Sequence, residues 1–125
     1  MTAPLKNSGP ITVNVALGDR SYDILIGRDI LQSLGERVAA LRPGARAAIV
    51  TDEYVATHWL RKTEGSLTRA GIATSRIVVD EGESAKGYEG IEFVCEELIA
   101  AKIERTDLVI ALGGGVVGDL AGFAA

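Results

Sequence analysis

The chain has 125 residues, the length of one domain, with 47% hydrophobic and 24% charged residues, a globular balance that a disordered tail would not reach. The net charge is −4 and the 13 Lys and Arg residues are dispersed, so the basic patch of a nucleic-acid-binding module is missing. No apolar run approaches a membrane span and the first thirty residues lack a signal-peptide core, so a cytoplasmic location is expected. The single cysteine, Cys95, excludes an internal disulfide, and with the single histidine, His58, it cannot build a tetrahedral zinc site within this chain.

Residues 1–9 are polar and turn-forming and read as a flexible N-terminus; residues 10–125 read as one α/β unit. Ile11, Val13, Val15 and Leu17 alternate with polar or small residues, the mark of a half-buried strand. Gly18–Arg20 is a turn and Ser21–Ile26 the returning strand, which together predict a β-hairpin. The period then lengthens: Ile30, Leu31, Leu34, Val38 and Leu41 share one helical face, closed by Pro43-Gly44. Arg46–Thr51 is a short, continuously apolar run that fits a strand buried on both faces. A helical stretch follows Asp52, with a break predicted near Gly65 and an end at Gly71. Ser75–Val79 is a second strand of parallel type, and 80–87 is a polar loop. Helical spacing returns over 88–103 through Ile91, Val94, Leu98 and Ile99. Asp107–Leu112 is the third parallel-type strand; it runs into Gly113–Gly118, with a helix predicted from about Asp119. Strand and helix alternate after the hairpin, which predicts an open, mostly parallel Rossmann-like sheet with right-handed crossovers and helices on both faces. The sequence reaches Ala125 a few residues into an apolar helical stretch with neither cap nor polar tail, and the expectation is part of a longer protein.

Three places have the makings of a site. Gly113, Gly115 and Gly118 satisfy G-x-G-x-x-G between a strand and a helix. Glycines there let backbone N–H groups and a helix N-terminus approach a pyrophosphate without a basic side chain, although such turns also serve simply to close a strand onto a helix. Asp52 ends the first parallel-type strand, where it can cap the following helix, hydrogen-bond a ribose hydroxyl, or do both. The loop Glu81-Gly82-Glu83-Ser84-Ala85-Lys86 also follows a strand. Glu83 and Lys86 suit polar contacts to a nucleotide and equally suit an exposed ion pair. His58 has no partner placed for a catalytic triad and reads as structural or surface; Cys95 reads as a buried thiol; Asp19, Asp23 and Asp29 read as turn and cap residues.

Taken in order, these elements resemble the N-terminal part of the 3-dehydroquinate synthase family. Val13–Gly27 is similar to that family's opening hairpin, Ile49-Val50-Thr51-Asp52 to its first nucleotide-site strand end, and Gly82-Glu83-Ser84-Ala85-Lys86 to its G-E-x-x-K loop. Ala111–Ala125 is similar to its most distinctive stretch. The resemblance implies NAD as cofactor. Gly114, Gly115, Val116, Val117 and Gly118 would line its pyrophosphate through their backbone, with Asp119 towards the nicotinamide half. Glu81 to Lys86 would form another wall, with Glu83 and Lys86 as polar contacts, and Asp52 would hold the adenosine ribose. One position departs from the pattern: Tyr54 stands where the family often has Asn.

The resemblance also implies the reaction, conversion of 3-deoxy-D-arabino-heptulosonate 7-phosphate to 3-dehydroquinate and phosphate in the shikimate pathway. It implies a divalent metal, zinc or cobalt, whose ligands lie outside this chain in a C-terminal helical domain, and a homodimer. No catalytic or metal-binding residue is assigned within the chain. A related sugar-phosphate cyclase and an iron-type alcohol or glycerol dehydrogenase share the glycine-rich turn, with Leu120–Ala125 favouring the cyclases. A stand-alone nucleotide-binding module without catalysis is the alternative from another class.

Overall fold

In the computed structural model, which describes residues 10–80 and 87–124, one strand organises the molecule. Strand β3 (Ala47–Asp52) pairs in parallel with β4 (Thr74–Val79) on one side and β5 (Leu108–Leu112) on the other, giving the order β4-β3-β5. Ala47 through Thr51 are completely buried, because the strand has a hydrogen-bonded neighbour at each edge and a helical layer on each face. That is why its sequence is continuously apolar rather than alternating.

The two faces carry separate cores. Ala47 and Ile49 pack with Val38 of α1 (Leu34–Leu41), Leu60, Leu67 of α3 (Arg61–Arg69) and Ile72. Ala48 and Val50, with Ile77 and Val79 of β4, pack against Val94 and Leu98 of α4 (Tyr88–Ala100) and Val117, Leu120 and Ala121 of α5 (Gly115–Ala124). The period-two alternation of a strand thus sends neighbouring residues to opposite layers. Separately, β1 (Ile11–Val15) and β2 (Tyr22–Ile26) pair antiparallel through a 3-10 turn at Gly18–Arg20. Their apolar side chains face one another across the strands, Ile11 opposite Ile26 and Val13 opposite Ile24. Ile11, Val13, Tyr22, Ile24 and Ile26 stay 42–54% exposed, more than the half-buried pattern predicts.

Several boundaries differ from the sequence reading. The helix after β3 does not break at Gly65. It begins as α2 (Glu53–Val55), widens into a π-helical turn at Ala56–Leu60 and continues unbroken as α3. Thr57 within the π turn and Thr63 just after it donate their hydroxyls to the carbonyls of Glu53 and Trp59, each at 2.9 Å, and such back-bonding perturbs helical geometry. Ile30–Ser33 is 3-10 rather than α, Leu41 is 75% exposed, and Ile99 points outward while Val94 and Leu98 face the core. Asp23 lies in β2, accepting a hydrogen bond from the Asn14 side chain at 2.9 Å, and is not a turn residue. Cys95 is half-buried rather than buried.

At the amino ends of β3 and β5 two charged residues lock the layers together. The Asp107 carboxylate, 7% exposed, accepts the Arg46 and Glu104 N–H groups at 2.9 Å each, and the Arg46 guanidinium at 3.3 Å. The same guanidinium donates to the carbonyls of Ala101 and Lys102, satisfying the C-terminal end of α4. Where α1 crosses α3, a Cβ on Gly35 would lie 2.0 Å from the Ser66 carbonyl oxygen, so only glycine fits. The Gly35 N–H donates to Ser66 Oγ and that hydroxyl donates to the Gln32 carbonyl, both at 2.9 Å.

Two predictions concern this framework, tested in the protein that carries this chain. Gly35→Ala forces α1 and α3 apart and is expected to cost about 1–3 kcal/mol, read from urea unfolding midpoints. The Arg46 and Glu104 N–H groups, reinforced by the guanidinium, hold the Asp107 pKa below its ordinary value near 3.8. Its stabilising contribution is therefore fully present above about pH 4 and lost as pH falls further. Asp107→Asn is expected to be less stable than the parent at pH 7, with the gap narrowing below about pH 4. An unchanged gap at pH 3 would show that the carboxylate charge is irrelevant.

Candidate nucleotide site

The carboxyl ends of the parallel strands form one edge, opposite the Arg46–Asp107 lock. Thr51 and Leu112 are paired, so Asp52 and the start of the glycine turn follow side by side on neighbouring strands. From β3 the chain passes to the layer containing α3, and from β5 to the layer containing α5. Two adjacent strands whose continuations leave to opposite faces create a crevice, the topological switch point at which open α/β sheets bind ligands.

The turn into α5 depends on glycine in two ways. Gly113 takes φ +152°, and a Cβ there would meet Val117 Cγ2 at 3.0 Å, so this residue closes the strand onto the helix. Gly114, Gly115 and Gly118 have nothing within 4 Å of where a Cβ would stand, and all three are exposed. Their backbone therefore borders open space into which a ligand can come close. The helix begins at Gly115 rather than near Asp119; its first bond runs from the Gly118 N–H to the Gly114 carbonyl at 3.0 Å. This places the free N–H groups and positive dipole end of a ten-residue helix at the crevice, suited to an anionic group. Val117 turns its side chain into the core (1% exposed) and Val116 is half-buried, so both present backbone to the turn. Asp119 is exposed in the early part of the helix.

Asp52 is half-buried, and its Oδ1 accepts the Val55 N–H at 2.8 Å, which makes it the N-cap of α2. Oδ1 serves the cap in this bond, and the aspartate stands at the same edge as the glycine turn. The structure thus brings Asp52, Gly114, Gly115, Gly118 and Asp119 to one end of the sheet. Glu81, Gly82, Glu83, Ser84, Ala85 and Lys86 lie outside the described residues, as do residues 1–9; β4 itself ends at this edge with Val79.

Beside Asp52, the sequence reading left unnoticed a ring pair. Tyr54, 60% exposed, packs on His58 with ring centroids 4.7 Å apart and planes tilted by 44°. The i, i+4 spacing was the available signal. One turn on, Lys62 Nζ lies 5.2 Å from the Trp59 ring. Cys95 is remote from this edge: with Leu98, Ile103, Leu108 and Val109 it lines an apolar cavity of about 590 Å³ near the amino end of β5. Among the described residues no three His, Cys, Asp or Glu side chains gather to hold a metal.

With this geometry in view, comparison with known proteins first identifies the fold. The fold is that of sugar-phosphate cyclases. The chain superposes on a 2-deoxy-scyllo-inosose synthase, solved with carbaglucose-6-phosphate, NAD+ and Co2+, with a TM-score of 0.80 at 22% identity, covering 92% of this chain and 31% of that one. A 2-epi-5-epi-valiolone synthase from Streptomyces hygroscopicus, solved with NAD+ and Zn2+, gives a TM-score of 0.71 at 30% identity, over 89% of this chain and 30% of that one.

In sequence the chain is similar to 3-dehydroquinate synthases. Residues 76–125 match the family described as 3-dehydroquinate synthase N-terminal. The whole chain is 84% identical to the 3-dehydroquinate synthase of Nitrobacter hamburgensis and 74% identical to that of Bradyrhizobium diazoefficiens. It spans about a third (33%) of the length of these curated relatives.

The cap and the ligand role of Asp52 can be separated. Asp52→Ala is expected to lower stability by about 1 kcal/mol, whereas Asn, an equally good cap, is expected to leave the urea midpoint within a few tenths of a kcal/mol. Equal losses in both variants would show that the carboxylate charge, not the cap, matters.

Proposed function

We propose that this chain is the NAD-binding part of a 3-dehydroquinate synthase, residues 10–125 forming the nucleotide-binding α/β unit. The whole enzyme converts 3-deoxy-D-arabino-heptulosonate 7-phosphate to 3-dehydroquinate and phosphate, a carbon–oxygen lyase reaction on the route to chorismate and aromatic amino acids. The observation that carries this reading is the open glycine turn at the switch point, set in a chain 84% identical from end to end to such a synthase. Similarity to the other cyclases is far lower, at 22–30% identity, which favours the dehydroquinate-forming reaction over theirs.

The backbone of Gly114, Gly115, Val116, Val117 and Gly118 lines the pyrophosphate, whose charge is met by N–H groups and the helix dipole rather than by a cation. This suits a chain of net charge −4. Asp52 accepts a hydrogen bond from the adenosine ribose while holding its cap. Glu81 to Lys86 border the dinucleotide with Glu83 and Lys86 as polar contacts, and Asp119 stands on the nicotinamide side. When bound, NAD supplies reversible hydride acceptance, and a divalent metal, zinc or cobalt, polarises the oxidised centre of the substrate. The metal's ligands belong to the part of the relatives that this chain does not span. On the family resemblance alone, the reading takes the enzyme as a cytoplasmic homodimer.

The test uses the full-length protein and a variant that separates folding from binding. A methyl group on Gly115 meets nothing in the fold and favours the helix, yet stands where the pyrophosphate approaches. Gly115→Ala is expected to unfold at the same or slightly higher urea concentration while its Kd for NAD rises about tenfold, roughly 1.4 kcal/mol. Phosphate release from the heptulosonate phosphate should require NAD, stop on chelation and resume with zinc or cobalt. Turnover of a different sugar phosphate in its place would assign the chain to a sister cyclase.

A further inference from the structure

We propose that Tyr54, braced by His58, is the platform on which the adenine ring of the dinucleotide stacks; the inference rests on the NAD reading above and adds to it a base-recognition residue. If the pyrophosphate occupies the glycine turn at the end of β5 and the ribose reaches Asp52 at the end of β3, the base lies beyond Asp52 on the β3 side of the crevice. The residue there is Tyr54, two positions on and in the first turn of α2. Its ring is 60% exposed, which a side chain placed only to fill a core would not be. His58 packs against it with ring centroids 4.7 Å apart, and more than half of the residue stays exposed. A ring already held in place loses little conformational freedom when a base stacks on it.

The backbone supports the same assignment. His58 sits within the π-helical turn Ala56–Leu60, a distortion frequently found at functional sites. Trp59, in the same turn, is also exposed, but Lys62 lies over its ring and it stands farther along the helix. Stacking also needs no positive charge, so it is open to an acidic chain, and it suits any base because every base has a π face.

The test compares, in the full-length protein, Kd values for NAD and for nicotinamide mononucleotide, which lacks the adenylate half. Tyr54→Ala is expected to weaken NAD about tenfold, the usual range for losing one base–aromatic stack. Tyr54→Phe, which keeps the ring and loses the hydroxyl, is expected to bind within about twofold of the parent, and the mononucleotide is expected to bind all three proteins alike. NAD affinity unchanged in Tyr54→Ala would overturn the proposal, as would equal losses for NAD and the mononucleotide, which point to a structural effect. Loss in Tyr54→Phe as large as in Tyr54→Ala would also overturn it, assigning the effect to the hydroxyl. These outcomes presuppose a parent that binds NAD. A parent binding neither ligand would instead remove the NAD reading itself, and the stacking role with it.

Discussion

The structure hangs on the complete burial of β3. A strand with partners on both edges and helices on both faces has no contact with water from Ala47 to Thr51, so every backbone polar group there must be paired within the sheet. That requirement places β4 and β5 at its sides and the two helical layers above and below. The small side chains Ala47 and Ala48, one to each layer, open the strand on packed helices, with larger Ile49 and Val50 filling the middle of each core. Only the strand ends are left free to differ from one another.

They differ by division of labour. The amino end is closed by a charged lock in which Asp107 and Arg46 satisfy N–H groups of the strand start and the turn, and carbonyls at the end of α4. The carboxyl end is left open: three glycines border empty space and Asp52 caps a helix beside them. Charged side chains close one end of the sheet, and backbone is uncovered at the other. N–H groups and a helix end suit an anionic group even in an acidic chain, because neither depends on net charge.

The sequence was most informative where a single physical requirement governs a residue pattern. The run 46–51 fitted a doubly covered strand, and the glycines after Leu112 marked the turn, where Gly113 takes φ +152° against Val117. Asp52 could be read as a cap from its place before a helical stretch. The helix after β3 was harder, since Gly65 looks like a breaker in isolation, yet the packing of Leu60 and Leu67 on the sheet carries the helix through it. The irregularity falls instead in a π turn, with one back-bonded threonine inside it and another just after it. The start of α5 was placed four residues late because Gly113–Gly118 reads as a glycine-rich turn, whereas burial of Val117 beside Leu120 draws Gly115–Gly118 into the helix. The Arg46–Asp107 lock was invisible because its partners are 61 residues apart, and nothing in either segment announces the other.

That separation has a consequence for how the chain acquires its shape. Ala47 must find Thr74 to begin the β3–β4 pair but Leu108 to begin the β3–β5 pair, a loop more than twice as long. Each doubling adds about 0.6 kcal/mol of closure entropy, so the nearer pairing has the advantage. The β3–α3–β4 unit can gather while later residues are still leaving the ribosome, and β5 then docks on an assembled edge. The lock forms with that last strand, and so acts as the latch of a sequential assembly rather than its seed.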